Sequence, residues 1–338
     1  MNAFTRRAAV VALAFLAASF AVQAQDIKER AFKLALQNPK GHPLVTGAEK
    51  FAEIVAAKSG GKLKVNIFPG GTLGGDAANV SALQGGTIEI VVLNSGILAS
   101  QVKDFEVYDF PFMFANAQEA DAVVDGPFGQ KLHAKLADKG IVGLAYWELG
   151  FRSLTNSKRA VNKLEDLDGI KLRVMQNNVF LDSFKTLGAN AVPLPFSELF
   201  SALETKAVDG QENPFNTILS SKFYEVQKYL TVTNHVYSPW IVLVSKKFWD
   251  GLSAAERNVL LEAAKKSRDF ERKDTRDEAA KALADLKGKG MQINELPPAE
   301  AGRMRDKLTR VNASIASNVG MDLWNETQAA LAKARSGK

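Results

Sequence analysis

The sequence predicts an α/β protein of two domains arranged as a hinged clamshell. Three observations predict this fold class. The chain has 338 residues, and domains run to roughly 100–200 residues each. A β-α-β-α-β pattern of apolar strands and amphipathic helices runs to about residue 149 and restarts at 150. From Ser253 onward the chain reads as almost wholly helical.

Phe32 to Leu36 reads as the first strand. Pro43 to Lys58 is a helix by the spacing of Val45, Ala48, Phe51, Ala52 and Val55. Lys62 to Phe68 alternates, with Leu63, Val65 and Ile67 on one face. Asp76 is expected to cap a helix to about Gln84 that stops at Gly85-Gly86, before a buried-looking strand Ile88 to Leu93. Helices around Gln118 to Val124 and Pro127 to Asp138 and a strand Ile141 to Trp147 complete the first unit.

The second unit offers strands at Gly169 to Val174, Ala191 to Leu194 and Ala207 to Asp209. Its helices span Val179 to Leu187 and Ser197 to Thr205, the latter expected to be capped by Ser197. Strands Tyr229 to Thr233 and Trp240 to Val244 could cross between the units. The charged stretch to Lys287 forms a bracing helix, and about 35 residues at 1.5 Å each reach roughly 50 Å. The expected division is 25–149 plus 239–278 for domain I and 150–238 plus 279–338 for domain II.

Residues 1–24 read as an export leader. Arg6 and Arg7 precede the apolar run Ala8 to Phe20, then Ala21-Val-Gln-Ala24 offers small residues for cleavage after Ala24. The run is short for a bilayer span, which needs roughly 17–25 residues. Cleavage removes two basic residues from a formal net charge of +6. The remaining excess is too small and too dispersed to argue for nucleic acid. No cysteine occurs, which excludes disulfides, thiolate nucleophiles and Cys-ligated metals. His42, His133 and His235 are the three histidines, and none pairs at the i, i+4 spacing of a helical zinc site. No metal or cofactor is expected.

Gly70, Gly71, Gly74 and Gly75 lie between a strand and a helix, where backbone amides could cradle an anion; they match no phosphate-loop pattern, which favours a tight turn beside a cleft over an anion cradle. Arg173 projects opposite to Leu172 and Val174 near the C-terminal end of its strand, where ligands of open α/β sheets sit. A guanidinium there suits bidentate capture of a carboxylate, although an internal salt bridge would also place an arginine in a strand. Arg152, after Tyr146-Trp-Glu-Leu-Gly-Phe151, stands at the start of the second unit. Asn213 lies in a polar stretch that turn chemistry accounts for equally, Phe196 would ordinarily be core, and His42 precedes a helix-starting proline.

Taken in order, several segments resemble the DctP-type substrate-binding proteins of TRAP transporters (tripartite ATP-independent periplasmic transporters). They are Gly150-Phe-Arg-Ser-Leu-Thr-Asn-Ser157, Lys171-Leu-Arg-Val174, Pro195-Phe-Ser-Glu-Leu-Phe200, Ala202-Leu-Glu-Thr-Lys-Ala-Val-Asp-Gly-Gln-Glu-Asn-Pro214 and Lys222-Phe-Tyr-Glu-Val226. The resemblance covers essentially the mature chain. It implies a two-domain periplasmic-binding-protein clamshell that closes over an organic acid. It also implies delivery to the small and large membrane subunits, driven by an ion gradient, commonly sodium. Carried over, the selectivity arginine falls on Arg173, the second cleft arginine on Arg152, the packing aromatic on Phe196 and the carboxylate-holding amide on Asn213. Gln37 and Asn94 occupy positions similar to the family's ligand-facing polar sites. Sialic-acid-type relatives carry an acid where Asn94 stands, so sialic acid is not the implied ligand.

If Gln37, His42, Asn94, Glu148, Asn178 and Asn213 converge, they offer more hydrogen-bonding groups than a small monocarboxylate requires. The expected ligand is a hydroxylated sugar acid, a hexuronate or aldonate, with Glu148 and His42 at hydroxyls. A C4-dicarboxylate using Arg152 for its second carboxylate is the competing ligand. A periplasmic enzyme on acidic sugars, with Glu148 and Asp182 as acid and base, is the alternative from a different class. A sensor that reports the acid to a membrane receptor would use the same cleft.

Overall fold

The computed structural model describes residues 27–336; the leader and its Ala24 cleavage point lie outside the described residues. Two sheets organise the chain. The first has the order β2-β1-β3-β10-β4, built from β1 (Arg30–Ala35), β2 (Leu63–Phe68), β3 (Ile90–Asn94), β4 (Ile141–Phe151) and β10 (Tyr237–Ser245). β1 pairs parallel with β2 and β3, whereas β10 runs antiparallel between β3 and β4. The second has the order β11-β9-β5-β8-β6-β7, from β5 (Ser153–Asn156), β6 (Lys171–Val174), β7 (Asn190–Pro193), β8 (Gly210–Asn213), β9 (Tyr229–Val232) and β11 (Gln292–Glu295).

The chain passes between the sheets where β4 gives way to β5 and where β9 gives way to β10. These passages are tied side by side: Arg152 N donates to the Val236 carbonyl at 2.9 Å and His235 N to the Arg152 carbonyl at 3.3 Å. A third connection is the long helix α9 (Ala254–Gly288), whose Ser253 and Glu256 form a reciprocal capping box. It packs on α1 (Pro43–Lys58) and β4 of the first lobe and on α7 (Phe215–Ser220) of the second. Asn216 Nδ2 donates to the Thr275 carbonyl at 2.9 Å, fixing that second contact.

Strand alternation sends Phe32 and Leu34 of β1 into a core with Phe51 of α1, Trp147, Val242 and Leu260. A second core starts on the opposite face of the same sheet at Val91 and Leu93. It continues through Phe105, Tyr108 and Tyr146 into Leu172 and Phe180 of the other lobe. Each large buried apolar side chain contributes about 1.5–3 kcal/mol. Three C-terminal helices, α10 (Pro298–Lys307), α11 (Thr309–Val319) and α12 (Met321–Arg335), seal that core. α12 rests on α3 (Ala117–Val124) and α4 (Pro127–Lys135) of the first lobe, and α10 and α11 rest on α5 (Asn178–Leu187) of the second.

Several expectations are corrected. Asp76 does not cap α2 (Asp76–Gly85): Gly75 is the N-cap, without a side-chain bond, and Asp76 is the first helical residue. Ser197 likewise stands inside α6 (Phe196–Glu204), which starts after Pro195. The strand expected at Ala207 to Asp209 is β8, three residues later. Val208 instead packs with Leu199, Leu203 and Phe223, and the polar Gly210–Asn213 takes the ladder opposite Ser153–Asn156. β5 and β11 carry few apolar residues, and no strand was expected at either.

Candidate functional site

The C-terminal ends of β1, β3, β6 and β8 face one another across a crevice, as parallel α/β topology requires. The crevice holds a half-open cavity with about 460 Å³ of empty space, its mouth included. From the first lobe come Gln37 and Asn38 after β1, Asp76 at the start of α2, and Asn94 at the end of β3. From the second come Arg173 on β6, Phe196 opening α6, Asn213 closing β8, and Thr217 on α7. Arg152 lines it from the first passage between the lobes and Trp240 from β10.

The two arginines have different environments. Nε and Nη2 of Arg173 both donate to the Leu194 carbonyl, at 2.9 and 2.7 Å, which fixes the plane of the guanidinium and leaves three of its five N–H donors. The guanidinium lies 5.9 Å from the centre of the Phe196 ring. Burial lowers its pKa to about 10, against the pull of Glu212, so it stays charged at neutral pH. Arg152 is instead clasped by Glu212. Its Nε and Nη2 meet both carboxylate oxygens, and Nη2 also reaches the Glu212 carbonyl at 2.6 Å and Asn213 Oδ1 at 3.2 Å. Burial pushes the Glu212 carboxyl up, but Arg152 and a hydrogen bond from His235 outweigh it and hold the pKa below the usual range.

Around Arg173 several polar atoms are shielded from solvent without a partner: Asn38 Oδ1, Asp76 Oδ1, Asn94 Nδ2 and Trp240 Nε1. Asn94 is oriented by its own Oδ1, which caps the following turn by accepting from Gly96 N at 2.8 Å. Gln37 is held by the glycine turn, where its Nε2 donates to the Gly74 carbonyl at 2.7 Å. Gly71, with φ of 69°, is where that turn needs glycine: a Cβ there would lie 2.8 Å from Gln37 Oε1. The four glycines thus form a turn that shapes the crevice wall.

Six of the residues expected at the site line the cavity: Gln37, Asn94, Arg152, Arg173, Phe196 and Asn213. Three do not. Glu148 sits on the opposite face of β4 from the cavity-lining Leu149, and its carboxylate accepts from Arg276 Nε at 2.8 Å. His42 stands one layer behind the wall. Its Nδ1 accepts from Leu44 N at 3.0 Å, so Nε2 carries the proton and donates to Thr217 Oγ1 across the crevice at 3.1 Å. Asn178 is exposed and borders a separate depression with Glu106 and Asp182. The N-cap of α5 is its neighbour Asn177, which donates to the Gly96 carbonyl and to Asp109. Glu148 and Asp182 therefore belong to different regions and form no acid–base pair. Sequence reasoning missed Asn38, Asp76, Gln176, Thr217 and Trp240. Asn38 alone carried a usable signal, being adjacent to Gln37 at a strand end.

Comparison with known proteins accords with this geometry. The family described as "Bacterial extracellular solute-binding protein, family 7" (DctP) matches residues 34–318. The sugar acid binding protein DctPAm from Advenella mimigardefordensis strain DPN7T, solved with galactonate, superposes with a TM-score of 0.90 at 46% identity. That match covers 91% of this chain and 100% of the other. The 2,3-diketo-L-gulonate-binding periplasmic protein YiaO of Escherichia coli (strain K12) is 34% identical over 82% of this chain and 85% of its own. The C4-dicarboxylate-binding periplasmic protein DctP of Rhodobacter capsulatus is 34% identical over 89% of both. The family and its solved neighbours are substrate-binding proteins, not enzymes. A profile match across both lobes and relatedness of this extent establish that the chain belongs to the DctP-type solute-binding proteins of TRAP transporters, which bind carboxylates.

Proposed function

We propose that this protein is exported to the periplasm, captures a hydroxylated sugar acid (an aldonate or hexuronate) between its lobes, and delivers it to the small and large TRAP membrane subunits. Arg173 takes the ligand carboxylate, Phe196 packs beside it, and Asn213, Asn94 and Gln37 supply further polar contacts. The lobes are domain I (25–149 plus 239–278) and domain II (150–238 plus 279–338), with C-terminal helices bridging them.

One observation carries the choice of ligand. The shielded, unpartnered atoms of the cavity are of both kinds, the acceptors Asn38 Oδ1 and Asp76 Oδ1 and the donors Asn94 Nδ2 and Trp240 Nε1. Hydroxyl groups donate and accept, so a polyol chain can satisfy both, whereas ionised carboxylates only accept and a C4-dicarboxylate carries at most one or two hydroxyls. Arg152, the natural partner for a second carboxylate, is already engaged by Glu212. The galactonate complex of the Advenella relative supports the same reading.

A thermal-shift screen followed by calorimetry with galactonate, glucuronate, succinate and malate tests it. Stabilisation by galactonate or glucuronate is expected. Stabilisation by succinate or malate and by neither sugar acid would overturn the ligand assignment in favour of a C4-dicarboxylate binder.

A further inference from the structure

We propose that the cleft takes up its acid together with one proton, held on the Asp76 carboxyl, so that this residue sets how strongly the protein retains organic anions as pH changes. The proposal rests on the reading of Arg173 as the carboxylate anchor. Asp76 opens α2 on the first lobe and Arg173 stands on β6 of the second; both line the same cavity, and among the described residues no ion pair joins them. Arg173 directs Nε and Nη2 at the Leu194 carbonyl instead, and Asp76 Oδ1 is shielded without a hydrogen-bond partner.

The surroundings leave Asp76 dependent on that one arginine. α2 carries no other charged residue. The side chain of α6 nearest the turn is the neutral Ser197, and Gln37 and Asn79 spend their amides on the Gly74 carbonyl. Beyond Arg173, the Arg152 charge is matched by Glu212. Burial raises the Asp76 pKa to about 6, and Arg173 is the opposing charge that keeps it from rising further. A ligand carboxylate on Arg173 cancels that field and brings a second negative charge into the cavity. Both changes favour the neutral acid. Asp76 then gains a proton from solvent, one O–H bond forms, and one oxygen of the neutral carboxyl becomes a donor for a ligand oxygen while the other still accepts from a ligand hydroxyl. By linkage, affinity is level below about pH 6 and weakens by up to tenfold per pH unit above it, until the pKa of the complex is passed.

Calorimetry with galactonate, and separately with succinate, at about pH 7 in buffers of different ionisation enthalpy reads the proton directly. Uptake approaching one proton per bound acid is expected for the native chain and none for Asp76→Asn or Asp76→Ser. Bound acid without uptake, or equal uptake in the variants, overturns the proposal. Uptake with succinate alone would sustain it while rejecting the sugar-acid reading. Should neither acid bind, the carboxylate-cleft reading fails separately. The titration of Asp76 in the free protein, followed by carboxyl carbon NMR and identified with Asp76→Asn, still decides. A midpoint near the ordinary value of about 4 overturns the proposal.

Discussion

Two arginines reach the same cavity, and their hydrogen bonds separate their roles. Arg173 keeps donors free for a ligand, so Arg173→Ala should lower acid affinity by about 10²–10³-fold, the worth of two charge-assisted hydrogen bonds, while the protein stays folded. Wild-type affinity in a folded variant by calorimetry would refute this. Arg152 and Glu212 form a buried pair, and removing one partner strands the other charge, so Arg152→Ala should cost about 3–5 kcal/mol of stability in urea unfolding. Strand alternation made Arg173 legible in the sequence. It did not show which face of β4 meets the crevice, so Glu148 was assigned to the cavity although its neighbour Leu149 holds that place. Asp76 was hidden for a related reason: an acid after Gly-Gly at a helix start reads as a cap, and only the tertiary fold carries it to Arg173.

At the scale of elements, apolar periodicity located the strands and helices that pack cores. α1 begins and ends at Pro43 and Lys58, as the spacing predicts. Periodicity failed at β5 and β8, whose buried side chains Ser153, Thr155, Gln211 and Glu212 are polar: Glu212 clasps Arg152, and Gln211 and Thr155 form a hydrogen-bonded chain behind the cavity-lining Asn213. The turn before α2 offers a direct check on how an element shapes the site. Gly71→Ala should cost roughly 1–2 kcal/mol from the left-handed backbone. It should also displace Gln37 and weaken acid binding about three- to tenfold. Paired thermal and calorimetric measurements would show both losses, and a stability loss without an affinity loss would sever Gln37 from the site.

For the whole molecule, the lobes meet through buried polar contacts that respond to acid. Burial lowers the His42 pKa to about 3, far below its ordinary value of 6.5. The unfolded chain therefore binds a proton that the folded chain refuses, and the contribution of His42 to stability should fall as pH drops from about 6.5 towards 3, against the opposite trend of the buried carboxyls Asp109 and Glu271, whose pKa values are raised to about 8. His42→Asn, which can still cap α1, should flatten that fall in melting curves recorded across the window. An unchanged slope would show that other groups govern it.

The position of β10 between β3 and β4 has a consequence for the order in which the protein can be made. Until Tyr237–Ser245 has been synthesised, β4 has no neighbour in the first sheet, and that sheet exists only as the three strands β1, β2 and β3. The second sheet waits longer still, because its edge strand β11 follows the long helix. Neither sheet can be completed before residue 245 has been made. Late folding is thus written into the strand order, which suits the export proposed above.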